Sequence, residues 1–181
     1  FDSVPGNVVF WQGPNFGSGW VTESNKWMSD QSKEIGGPHG CAEHMADKRG
    51  RFGHVRLIEN TPARGVVHRR YPSIDVGYVF PGVNVWVDEY YFIYPDGVGV
   101  RVVEGVDGGW HDTQFLSQPG TSCLDNIELT ALSVANLRGE MAELTWAPPN
   151  HVPPTPLKDA CIKRINFKSQ WKVFAVYREG V

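Results

Sequence analysis

Long apolar runs, a cysteine framework and an excess of one charge are all missing from this chain. No stretch of about 18 apolar residues interrupts its 181 residues, which excludes a membrane-spanning helix. The three cysteines, Cys41, Cys123 and Cys161, are odd in number and widely spaced. They make neither a disulfide framework nor a CxxC metal motif, and one disulfide with a free thiol or three thiols are both allowed. The net charge is −3 with six histidines counted neutral, without the basic excess that nucleic-acid binding shows. A polyanion would have to be held by local arginines. GxSxG, a cysteine with an evident catalytic partner and the phosphate-binding glycine loops are absent too.

Glycine (20), proline (13) and the aromatics (7 Trp, 6 Tyr, 9 Phe) are plentiful. That composition favours a turn-rich, all-β antiparallel sandwich with at most one short helix. The length and the 41% hydrophobic content suit one domain over residues 1–181 with a substantial core. A start at Phe1 with neither signal peptide nor initiator methionine suits a processed product or a fragment of a larger protein.

Along the chain, NVVFWQ (7–12) reads as a strand and GPNFGSGW as a loop that forbids a regular element. Between Trp20 and Glu34 no period is clean, and GGPHGCAEHMADKRG reads as a long loop. HVRLIEN and VVHRRY form the arms of a hairpin, in which His54 shares a face with Arg56 and His68 with Arg70. GGWHDTQFLSQPG alternates as a further strand. CLDNIELTALSVANLRG fits either a helix, with Asp125 as N-cap and Gly139 as stop, or a period of two. EMAELTW, a stiff crossover APPNHVPPTP, and a closing hairpin of CIKRINF and WKVFAVYR follow.

DEYYFIYPDGVGVR (88–101) is the sharpest local signal. Proline presets the first turn position, and Asp-Gly supplies a type I turn followed by a left-handed glycine. Counting outward, Tyr94 pairs with Val98, Phe92 with Val100, Tyr91 with Arg101, Tyr90 with Val102 and Glu89 with Val103. Tyr90, Phe92, Tyr94, Val98, Val100 and Val102 then share one face, expected to be the core. Glu89, Tyr91 and Arg101 share the other, which either offers a cation, a phenol and an acid to a sugar carboxylate or is a solvated sheet face with an ordinary salt bridge.

Histidine, arginine and tyrosine in this pattern are the residue types needed to β-eliminate a uronic acid polymer. A cation quenches the carboxylate, a base removes the adjacent proton and a phenol protonates the leaving oxygen. The candidates are His54 or His68 as base with Tyr91 in the catalytic group, Arg56 or Arg70 as neutraliser, and Arg101, Glu89 and Trp20 as substrate contacts. A paired-carboxylate glycosidase would draw on Glu59, Asp88, Glu89 and Asp112, but no spacing selects a pair. His39, Cys41, Glu43 and His44 in PHGCAEH match no common metal signature. The expectation is therefore no cofactor and no metal.

VVFWQGPNFG resembles the entrance to sugar-active supersandwich domains of the galactose-mutarotase-like type, where an aromatic strand precedes a polar Gly/Pro/Asn loop. WVTESNKWMSD, HVRLIENTPARGVVHRRY, DEYYFIYPDGVGVR and QPGTSCLDNIELTALSVAN resemble blocks in large extracellular proteins of polysaccharide-degrading bacteria. The resemblance implies a secreted or extracellular, carbohydrate-active domain with neighbouring domains or homo-oligomeric partners, and it assigns no acid or base. Taken together, the expectation is a carbohydrate-active domain, with lyase action on an acidic polysaccharide as the leading enzymatic reading. A non-catalytic carbohydrate-binding module and a structural or assembly module are the alternatives.

Overall fold

The computed structural model describes residues 1–13, 15–105, 110–116, 118–146 and 154–177 and, for 30–33 and 110–113, the backbone alone. The fold is all-β, antiparallel and sandwich-like, with one short helix. The chain groups into two compact units, Phe1–Leu116 and Ser117–Val181.

The first unit holds two sheets. One contains β1 (Asn7–Trp11), β2 (Gly17–Val21), β3 (Trp27–Gly37) and β4 (Gly40–Ala42) in that order, and a later strand, numbered β9 (Trp110–Leu116) in chain order, pairs with β3. The other is a meander of β5 (His54–Asn60), β6 (Gly65–Pro72), β7 (Trp86–Ile93) and β8 (Gly99–Gly105). The hairpin register is the one counted from the sequence: Tyr91 faces Arg101, Tyr90 faces Val102 and Phe92 faces Val100. The Tyr94 carbonyl accepts from Gly97, and the Tyr94 N–H donates to the Val98 carbonyl at 2.9 Å.

Two expectations for this unit need correction. GSGW, the end of the segment read as an irregular loop, lies in strand β2, where Gly17, Ser18 and Gly19 are buried and a Cβ on Gly19 would meet the Trp27 ring at 3.1 Å. A Cβ on Gly99 would fall 2.3 Å from the Trp20 ring, so glycine there lets the indole lie against β8. The long loop at 36–50 also carries the short strand β4 and a 3-10 turn at His44–Ala46. It is anchored by the buried Asp75 carboxylate, which accepts from the backbone of His39, Gly77 and Val79 at 2.8–3.0 Å.

The second unit is a four-stranded sheet of β10 (Ile127–Ala135), β11 (Met141–Thr145), β12 (Ile162–Phe167) and β13 (Val173–Val176), in the order β11-β10-β12-β13. The segment that fits both helix and strand is both: helix α1 (Cys123–Asn126) runs directly into β10. Ser122, not Asp125, is the N-cap. Its backbone N–H donates to the Asp125 carboxylate, as does its hydroxyl, and the Ser122 side chain faces the Asp125 backbone N–H in return, the reciprocal arrangement of a capping box. Val134, Leu144 and Ala160, flanked by Leu132, Ala142 and Leu157, form the core here. Most of the proline crossover lies outside the described residues.

Candidate functional site

The meander β5–β8 carries most of the candidate residues, and alternation divides them between its two faces. Tyr91, Glu89, Arg101, Arg69 and Tyr71 point inward, towards β1 and β2. His54, Arg56, His68 and Arg70 point outward, beside Asp88, Tyr90 and Trp86, since residues opposite each other in antiparallel register share a face.

The inner face reverses the expectation. Glu89 and Tyr91 are completely buried, and the Arg101 side chain is only 9% exposed. Arg101 donates to Glu89 through Nη2 at 2.6 Å and Nε at 3.3 Å, and Arg69 adds Nη1 at 3.2 Å. The Tyr71 hydroxyl donates to Oε1 at 2.8 Å, and the Tyr91 hydroxyl makes a short bond to Oε2 while lying 2.7 Å from the Ser18 hydroxyl. The rings complete the enclosure. Phe10 meets Tyr91 edge-on at 4.8 Å, Trp20 lies 6.1 Å from it, and the Arg69 guanidinium sits 4.2 Å over Tyr71.

Electrostatics follow from that closure. Burial alone would raise the Glu89 carboxyl, but the Arg101 and Arg69 charges and the hydrogen bonds from Arg101 and Tyr91 overcome it and hold it well below the carboxylate range. Burial, then the neighbouring Glu89 charge, pushes the Tyr91 and Tyr71 phenols up. His44, buried against Tyr71 at 5.2 Å, is lowered well below its ordinary value by burial first and by Arg69 second. Beside it Asn15 adopts a left-handed backbone (φ 51°) that presents its carbonyl to Arg69 at 3.4 Å. A Cβ on Gly53 would strike the Asn15 amide at 2.3 Å. This assembly is a buried ionic core, paired throughout except at Arg69 Nε and Asn15 Oδ1, which are buried without a partner among the described residues.

Trp20, expected as a sugar platform, belongs to the same interior packing. The strip expected to be core is the partly exposed one, with Val98, just before edge strand β8, and Val100 and Val102 on it between 39% and 50% accessible. A signal in the sequence would have found this. Carrying the alternation back places Asp88 and Glu104 opposite each other on the Tyr90 face, and two facing carboxylates argue for solvent.

The outer face is half-open: the His68 and Asp88 side chains are 12% and 21% exposed, and Arg70, His54 and Arg56 reach solvent. His68 Nε2 lies 2.7 Å from Asp88 Oδ1, and Arg70 donates to Asp88 Oδ2 at 2.7 Å. His68 stacks on Tyr90 at 4.8 Å, and Arg70 lies 5.0 Å over Trp86. His54 is opposite Arg70 and Arg56 opposite His68. Both are exposed and make no hydrogen bond or ion pair to any described residue. Thus His54, Arg56, His68 and Arg70 are brought together, while Tyr91, Arg101 and Glu89 lie on the far side of the same sheet.

The remaining candidates disperse. His39 bonds Asp75 at 2.9 Å, the Cys41 thiol donates to Glu34 at 3.3 Å and His44 turns into the core. Glu59 holds Arg64 in a two-pronged pair at 2.9 Å, and the Asp112 side chain lies outside the described residues. Compared with known proteins, the chain matches no family model, no curated protein and no solved structure.

Proposed function

We propose that this chain is a carbohydrate-active domain that holds an acidic glycan on the outer face of the β5–β8 sheet, in a secreted or extracellular setting. The observation that supports this reading is Arg56, an exposed cation without a partner among the described residues, beside His54 and the His68–Asp88–Arg70 cluster. Guanidinium groups recognise planar carboxylates by two parallel hydrogen bonds. Trp86 and Tyr90 stiffen the face by stacking on Arg70 and His68. Binding is the leading role, because the phenol and arginine expected to complete an elimination site, Tyr91 and Arg101, are committed to Glu89.

One observation favours cleavage as a second reading. With its Nε2–H donated to Asp88, His68 keeps the Nδ1 lone pair as a base. It would take the proton next to a uronate carboxylate, the electron pair would form the ring double bond, and the glycosidic oxygen would leave with a proton from water or from Tyr90. Retention of the full chain on immobilised alginate or pectin, lost in Arg56→Ala/Arg70→Ala, tests the binding role. Equal retention of that variant would overturn it. Growth of the unsaturated uronyl absorbance, abolished in His68→Ala, would instead establish cleavage.

A further inference from the structure

The second unit contains a site that owes nothing to the outer-face reading. Its ladder is broken between β10 and β12. Ile127 pairs with Phe167 and Leu132 with Ile165, so strand β10 advances five residues where β12 advances two, past Asn166. A groove of about 740 Å³ opens there, within the size range of small-ligand sites.

The groove is held open by polar groups that the protein only half satisfies. Asn166 reaches across the break, and its Nδ2 donates to the Thr130 carbonyl at 2.5 Å and to Ser133 Oγ at 3.2 Å. Both amide hydrogens are then spent, and Oδ1 is left buried with no partner. Arg164 Nε is buried and unpartnered as well. Arg164, Ser133 and Glu143 form a row across three strands, Ser133 facing both of the others. Two strand spacings, about 10 Å, separate the backbones of Arg164 and Glu143, with the small serine, bonded by the Asn166 amide, on the strand between them. Lys168 and Lys172 add two further positive charges to the lining and Glu128 a second acid, so cations outnumber acids three to two.

We infer that this groove binds a small hydroxylated anion of the acidic mono- or disaccharide class. Its carboxylate or sulfate accepts from Arg164 Nε, and a hydroxyl donates to Asn166 Oδ1. Glu143, at the far end of the row, accepts further hydroxyls and repels a second negative charge, so the ligand is anionic at one end only. An apolar ligand would leave both orphaned atoms buried without partners, and a neutral sugar would leave the Arg164 charge uncompensated.

The test uses the full chain, with glucuronate, galactose 6-sulfate and glucose as probes, and follows the Arg164 Nε–H and Asn166 side-chain amide signals by NMR. Saturable shifts are expected with the two anions and not with glucose. Arg164→Lys, which keeps the charge and loses the planar fork, should weaken binding at least tenfold, and Asn166→Leu similarly. Glu143→Gln should improve binding of galacturonate dimers. His68→Ala/Arg70→Ala, which removes the outer-face cluster of the first unit, should leave these shifts unchanged, so the two sites fail or stand separately. Absence of saturable shifts, equal response to glucose, or unaltered binding in a folded Arg164→Lys variant would overturn the assignment.

Discussion

The two faces of the β5–β8 sheet are made of nearly the same residue types and come to opposite ends. Outside, His68, Arg70 and Asp88 pair at the rim of solvent, with Arg70 45% exposed. Inside, Arg69, Arg101 and Glu89 make a similar cation–carboxylate set at near-zero exposure, roofed by aromatic rings. Water decides the difference. The outer cluster reaches solvent through Arg70 and can exchange that partner for water, whereas in the buried cluster each charge depends on the others.

Removing a carboxylate should therefore separate the faces. Glu89→Ala leaves two guanidinium groups buried without a counter-charge and should cost about 3–5 kcal/mol, read by urea unfolding. A loss below about 1 kcal/mol would mean that water reaches the inner face. Tyr91→Phe keeps the ring and removes one hydrogen bond to a charged acceptor, with an expected loss of about 1.5–3 kcal/mol.

Acid should act on the inner face in two stages. The folded His44 resists a proton that the unfolded chain accepts below about pH 6.5, so stability is full above that value and declines as pH falls. The folded Glu89 carboxyl is held below its unfolded value of about 4.5, so its contribution is also full above that pH and lost beneath it. Glu89 alone should add roughly 1.4 kcal/mol of loss per pH unit there. Denaturant titrations between pH 7 and 3 check this, and flat stability from pH 7 to 5 would place His44 in contact with water.

The smallest effect belongs outside. Asp88→Asn should cost about 0–1 kcal/mol and Arg56→Ala no more than about 0.5 kcal/mol, while the latter weakens retention on an acidic polysaccharide. A thermal melt alongside the gel measurement reads both.

Much of this was legible beforehand. The all-β class, the His54–Asn60 and Gly65–Pro72 hairpin, the closing β12–β13 pair and the register around Pro95-Asp96-Gly97 follow from alternation and turn chemistry. Those signals are local. The side of the hairpin that faces the protein is not, because alternation separates two faces without saying which is covered. Apolar content suggested Tyr90, Phe92 and the valines. The partner layer, with Asn15, Ser18 and Trp20, together with Arg69 from the adjacent strand, made the charged side the better one to bury.

The groove of the second unit escaped for a related reason. Asn166 and Arg164 in CIKRINF read as ordinary strand residues, and only the unequal advance of β10 and β12 leaves their Oδ1 and Nε without partners. By itself the sequence determined strand identity, turn positions and pairing of neighbours, since these depend on interactions within a few residues. Tertiary structure alone decided which charges are neutralised inside, which remain open to a ligand, and where a ladder parts, because burial and hydrogen-bond partners come from segments distant in the chain.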